Sequence, residues 1–192
     1  MRLFSLESIM PSASRLAAVI YADGESSAAD DVLAEIVNRL LTHKVRLAGT
    51  IQTNTDDDQG VHCAMTLEDL STGEKFDISD NRGKGARGCK LNVPVFEALV
   101  GQVQAGLRSQ PDLVIVNRFG KREAEGRGFR DVIAQATGQD IPVLVAMNES
   151  SRGAWKEFTA GDGAMLPATT AAVWRWCMDN LKADADAASS GS

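Results

Sequence analysis

The residues that could do chemistry lie in turns that follow apolar runs. The first turn, Ala22-Asp23-Gly24-Glu25-Ser26-Ser27, follows LAAVIY (residues 16–21). It precedes a helical pattern with Leu33, Ile36, Val37, Leu40 and Leu41 on one face. Strand, glycine turn and helix together present backbone N–H groups to an anion. A working phosphate loop reads GxxxxGK[ST], and its lysine holds the outer phosphates. Here Gly24 is the only glycine of the turn, and no lysine follows until Lys44. Asp23, Glu25, Asp30 and Asp31 add negative charge where a triphosphate would sit. The scaffold is nucleotide-like, but the residues for nucleotide hydrolysis are missing.

The second turn, Asn117-Arg118-Phe119-Gly120-Lys121, ends the most apolar run of the chain, DLVIV (residues 112–116). P-loop enzymes end this strand in an acid that holds magnesium. An amide beside two cations is a poor magnesium ligand, whereas its N–H2 and the cations are donors suited to an oxyanion. An anion site and a solvated helix entrance with local ion pairs (Arg118, Lys121, Arg122, Glu123) are equally compatible with the spacing. A third turn is Asn148-Glu149-Ser150-Ser151. A fourth candidate is the glycine-rich basic loop carrying Arg82, Lys84, Arg87, Cys89 and Lys90. Arg87, Cys89 and Lys90 are additional anion-binding candidates, and the cationic setting would lower the Cys89 thiol pKa.

Cys63 and Cys89 flank a hairpin pattern and form the one candidate metal pair, although small buried apolar residues are the commoner fate of free cysteines. No CxxC or Cys–His cluster of zinc spacing is present. The TNTDDDQG run (residues 53–60) lacks the glycine and distal glutamate of an EF-hand loop and reads as solvated. GxSxG and HExxH are absent.

The elements that position these turns alternate. Strand patterns cover residues 16–21, 45–51, 112–116 and 141–147, the last taken as the final parallel strand. Helical patterns follow Ser27, Asn92 (a cap with Pro94 in the first turn), Glu125, Ser151 and Thr169. The pieces CAMTLEDL and EKFDIS around Ser71-Thr72-Gly73 form a hairpin. This predicts an α/β single domain: a P-loop-NTPase-like three-layer fold with a mostly parallel sheet plus a central antiparallel hairpin. The domain spans residues 15–182, with an N-terminal extension at 1–14 and a disordered tail at 183–192.

With 192 residues and a formal net charge of −6, the composition argues against a nucleic-acid partner. No apolar stretch approaches the roughly 20 residues of a membrane span, and Glu7 interrupts the N-terminal apolar segment, against a signal peptide. Three cysteines cannot all pair, which fits a cytoplasmic setting.

The segments AVIY-DG, RLAGTIQ, C-M-LEDL-TG, GCKLN, DLVIVNRFGKREAEGRGFR and IPVLVAM together resemble the bacterial DUF2478 family over residues 17–177. That family is similar in layout to THEP-type P-loop nucleoside triphosphatases. Those carry a lysine-bearing P-loop and a DEIG-like acidic motif at the place of Asn117-Arg118-Phe119-Gly120, and Gly120-Lys121 and Glu123 fit the rest of that motif. The chain departs at both motifs. The family's genes often lie beside molybdate-uptake, molybdoenzyme or nitrogenase genes, so the resemblance implies a role in molybdenum handling. The expectation is a non-catalytic oxyanion-binding protein for molybdate or tungstate, with Ser26, Ser27, Asn117, Arg118 and Lys121 as donors. The alternatives are a nucleotide-binding protein or weak nucleoside triphosphatase using nucleotide with magnesium, and an interaction partner of molybdenum proteins with no small ligand. Expected partners are a small oxyanion, a molybdenum transport or cofactor protein, and further copies of the chain.

Overall fold

The structure, a computed structural model, describes residues 14–53, 65–80 and 90–190, with Asp80, Lys90 and residues 182–190 described by backbone alone. Cys63, Arg82, Lys84, Arg87, Cys89, the side chain of Lys90, residues 54–60 of the aspartate loop and residues 1–13 of the N-terminal extension lie outside the described residues.

The elements run β1 (Leu16–Tyr21), α1 (Ser26–Thr42), β2 (Leu47–Thr53), β3 (Thr66–Asp69), β4 (Lys75–Asp77), β5 (Ser79–Asp80), β6 (Lys90–Leu91), α2 (Val93–Gly106), β7 (Leu113–Phe119), α3 (Lys121–Ala124), α4 (Arg130–Gly138), β8 (Val143–Asn148), α5 (Arg152–Phe158), β9 (Ala164–Pro167) and α6 (Thr170–Ser190). Seven strands form one sheet in the order β4-β3-β2-β7-β8-β1-β9. The pairs β2–β7, β7–β8, β8–β1 and β1–β9 are parallel. β3 and β4 continue the sheet antiparallel at one edge, so the hairpin from the middle of the chain closes a side of the sheet. β5 and β6 make a separate two-stranded ribbon.

Alternate residues of the central strands face opposite layers. Ala17, Val19, Leu113, Ile115, Leu144 and Ala146 pack with Leu33, Ile36, Val37 and Leu40 of α1 and Val173, Trp176 and Cys177 of α6. Ala18, Val114, Val116, Val143, Val145 and Met147 pack with α2, α4 and α5, where Phe119 meets Trp155 edge-on at 5.1 Å. Helices thus cover both faces, giving the three-layer fold expected from the alternating pattern. Burial pushes the Cys177 thiol up to about 12, so this buried cysteine is an apolar packing group. α2 starts where the sequence places it: the Asn92 side chain accepts the Val95 N–H at 3.3 Å.

Three elements differ from the sequence reading. β9 adds a parallel strand outside β1; it is short, half-buried and at an edge, so it lacks the apolar run that marks β7 and β8. The helix expected from Glu125 to Thr137 starts only at Arg130, as α4; residues 125–129 form a turn, with Gly126 at φ 84° and Gly128 at φ 60°, that follows the separate short helix α3. α6 continues to Ser190 through a stretch where a tail was expected from residue 183; Ala183, Ala185, Ala187 and Ala188 are strong helix formers.

β2 and β7 approach closely at Gly49, which pairs with Ile115. Gly49 has φ 107°, and a Cβ there would sit 1.8 Å from the Ile115 carbonyl oxygen. Gly49→Ala combines backbone strain with a steric clash, each of about 1–3 kcal/mol. Urea unfolding should show a loss of about 3–5 kcal/mol in stability; a loss below about 1 kcal/mol would mean that the two strands can separate without cost.

Candidate functional site at the carboxyl edge of the sheet

β1 and β8 are neighbours, but the chain leaves them in opposite directions. β1 continues into α1 on the layer shared with α6, and β8 continues into α5 on the other layer. Such a divergence is the switch point where open α/β sheets bind ligands. The first and third turns meet there: Asn148 Nδ2 donates to Asp23 Oδ1 at 2.8 Å. The second turn, leaving β7, faces the start of α1. A cavity of about 540 Å³ lies at the opposite, amino end of β1. It is lined by Leu16, Ala134 and Phe158, with Ser14, Thr137 and Thr159, and includes none of the polar turn residues. We place the candidate site at the switch point, because the groups able to do chemistry converge there.

Arg118 is the centre of this convergence. Its Nη1 lies 2.6 Å from Asp30 Oδ1, an ion pair, and its Nη2 donates to Asp30 Oδ2 at 2.8 Å. Nη1 also donates to the Asn117 carbonyl at 2.9 Å, and Nη2 reaches the Ser26 carbonyl at 3.4 Å. The guanidinium carbon stands 5.0 Å from the centre of the Tyr21 ring. The side chain of Asp30 is only 5% exposed and that of Arg118 25%. Arg118 therefore ties the carboxyl end of β7 to the first turn of α1 and to the last residue of β1. Ser26 and Ser27 are exposed at the start of α1, and the N-cap Glu25 supplies no side-chain hydrogen bond to the helix.

The other expected donors are engaged elsewhere. Asn117 is buried; its Oδ1 accepts the Gln52 backbone N–H at 3.1 Å and its Nδ2 donates to Gln52 Oε1 at 3.2 Å. Lys121 points into solvent, 87% exposed, 3.8 Å from Glu125. Arg122 pairs with Glu97 at 2.5 Å, and Arg127 pairs with Glu125. Ser26 and Arg118 come together, Asn117 lies beside them as a strand-to-strand link, and Lys121 joins the surface ion pairs foreseen for a helix entrance. Among the described residues no group of three or more His, Cys, Asp or Glu could hold a metal ion.

Glu123 is a residue whose role the sequence did not disclose. It is buried, its Oε2 accepts the Gly120 N–H at 3.0 Å, and its Oε1 accepts the Phe129 N–H at 3.2 Å. A Cβ on Gly128 would lie 2.3 Å from Oε1, so the glycine leaves room for the carboxylate. Glu123 thus sets the shape of the loop behind Arg118. The spacing of Gly120, Glu123 and Gly128 was the available signal.

Residues 16–176 match the family described as "Protein of unknown function (DUF2478)". The chain belongs to the DUF2478 family. The molybdenum import ATP-binding protein ModC 2 of Bradyrhizobium diazoefficiens is 34% identical over 165 residues, which are 86% of this chain and 18% of that protein. The chain thus spans less than a fifth of that relative. Nucleoside-triphosphatase THEP1 of Methanosarcina acetivorans is 25% identical over 122 residues, 63% of this chain and 70% of that protein. Two solved structures share the fold. THEP1 from Aquifex aeolicus has a TM-score of 0.53 at 14% identity, covering 80% of this chain and 90% of that one. A human cancer-related nucleoside triphosphatase has a TM-score of 0.55 at 16% identity, covering 92% and 99%. The DUF2478 chain therefore has the fold of the THEP1-type P-loop nucleoside triphosphatases.

Two outcomes follow from these contacts. Glu123→Ala leaves the buried Phe129 N–H and the part-buried Gly120 N–H without their acceptor, at about 1–3 kcal/mol for a buried donor and less for a part-buried one. Denaturant unfolding should therefore show a loss of about 2–4 kcal/mol, and an unchanged midpoint would remove Glu123 from its structural role. Tyr21, the single tyrosine of the chain, titrates above the ordinary phenol range because burial disfavours its anion, with Asp30 and Asp23 adding to the rise and Arg118 opposing it. Ultraviolet titration of Arg118→Gln should move the tyrosine transition further up. A downward move would contradict the placement of the guanidinium over the ring.

Proposed function

We propose that this DUF2478 chain is a non-hydrolysing, oxyanion-binding module of molybdenum handling, taking molybdate or tungstate at Arg118. The observation that carries the reading is the position of that arginine. It stands where a P-loop enzyme carries acidic residues, at the end of β7, and it lies against the uncapped first turn of α1. A guanidinium fork beside a helix N-terminus is suited to a tetrahedral dianion. Ser26 and Ser27 would add donors from α1, with Asn117 holding the strand end in place. The 34% identity to the ModC 2 protein supports the molybdenum link. The ATP-binding named for that relative belongs to a protein of which this chain matches 18%. A molybdenum transport or cofactor protein in the cytoplasm is the natural partner.

Nucleotide with magnesium is the second reading, and the fold favours it. Against hydrolysis, no lysine follows Gly24 in the turn, and both side-chain polar atoms of Asn117 are bonded to Gln52. Loss of charge-stabilising groups costs phosphoryl transfer several powers of ten.

Calorimetry with molybdate, tungstate, sulfate and phosphate, beside a magnesium–ATP turnover assay, separates the readings. Molybdate or tungstate should bind below millimolar concentration, and Arg118→Ala should weaken binding by about 1.5–3 kcal/mol. Hydrolysis should be negligible; a magnesium-dependent turnover on the order of 1 per second would replace the oxyanion reading with the enzymatic one.

A further inference from the structure

The contact most in need of explanation is the one between Arg118 and Asp30. Asp30 lies on α1 beside Ala29 and one turn before Leu33, both fully buried, and its own side chain is 5% exposed. An aspartate is almost never buried so far without a partner. Its cationic partner among the described residues is Arg118, met by both guanidinium terminal nitrogens. Asp30 Oδ2 accepts from Nη2, while Oδ1 lies 2.6 Å from Nη1 as a charge contact without a hydrogen bond, so the carboxylate sits against the same guanidinium edge that would recognise a tetrahedral oxyanion. The remaining directions of the fork go to the Asn117 and Ser26 carbonyls. In this state both terminal nitrogens of Arg118 are engaged within the protein.

We infer that Asp30 is an internal competitor of the ligand, an autoinhibitory carboxylate that occupies Arg118 until an oxyanion displaces it. The inference rests on the reading of Arg118 as the anion donor and adds how that donor is regulated. Displacement leaves a buried carboxylate without its cation, so the latch lowers the apparent affinity in proportion to the small fraction of molecules with Arg118 free. It also releases the contact with the Ser26 carbonyl, so ligand occupancy is coupled to the attachment of the first turn of α1 to β7. Asp30 remains close by after exchange. A dianion gains more from Arg118 and the helix N-terminus than a monoanion does, so the latch favours doubly charged oxyanions.

The test is calorimetry with sodium molybdate on the full chain and on Asp30→Asn, Arg118→Gln and the double variant, with thermal denaturation as the control for folding. Asp30→Asn keeps the side-chain shape and removes the competing charge. It should bind molybdate at least about tenfold tighter than the parent, and the double variant should lose that gain. If Arg118→Gln weakens binding in the parent but Asp30→Asn leaves affinity equal or lower, the latch is overturned and the oxyanion reading stands. If molybdate binds and Arg118→Gln changes nothing, or if neither the parent nor Asp30→Asn binds it, both fall. Should Asp30→Asn not fold, the parent still decides the matter. Saturating molybdate should shift the ultraviolet titration of Tyr21, the single tyrosine, as the guanidinium leaves its ring, and an unmoved transition would overturn the latch.

Discussion

A strand enclosed between two helical layers cannot leave a polar side chain at its end without a partner, and β7 carries two, Asn117 and Arg118, as it emerges, with Glu123 following in α3. Its apolar part, Leu113 to Val116, is fully buried. An unpaired polar group there would cost several kcal/mol on transfer from water. Each is resolved by a bond to a different element. Asn117 joins β2 through Gln52, Arg118 joins α1 through Asp30, and Glu123, just beyond the strand, gathers the N–H groups of Gly120 and Phe129. These bonds tie the carboxyl edge of the sheet to β2, α1 and the loop before α4. The side chains at this edge are bonded within the protein.

The start of α1 follows the same logic. A helix N-terminus carries partial positive charge and favours an anion nearby. In a phosphate-binding protein the ligand supplies it. Here Glu25 stands at the N-cap and Asp30 lies just past the first turn. These acids compensate the helix dipole from within. Arg118 then offsets one of them, which allows Asp30 to be buried at all.

The parts of this arrangement legible in the sequence are those set by local pattern. β1, β7 and β8 show as apolar runs, α2 shows through Asn92 and Pro94, and the apolar positions Phe129, Val132, Ile133 and Ala136 mark α4 although its start was placed too early. The break before α4 was hidden because it depends on where the Glu123 carboxylate points, and spacing along a helix cannot report that. β9 was hidden because an edge strand, half-buried and four residues long, has neither an apolar run nor clean alternation. The three turns were correctly assigned to strand ends, since that follows from topology. The pairing within the site was not legible. Asp30 and Arg118 are 88 residues apart, and Asp30 was visible only as one negative charge among four.

The pair also constrains what a substitution of either residue alone would do. Exchanging Arg118 for an acid, as in a DEIG-like motif, would bring a second carboxylate beside buried Asp30. Two carboxylates in contact cannot both stay ionised without strong penalty. Removing Asp30 alone would leave Arg118 free beside the position where magnesium would have to be held, and a cation there repels the metal. Asn117, bonded at both polar atoms to Gln52, would still offer magnesium no ligand. The two charges are therefore interdependent. Each makes the other tolerable at the carboxyl edge of the sheet, where Asp30 is buried and Arg118 partly so.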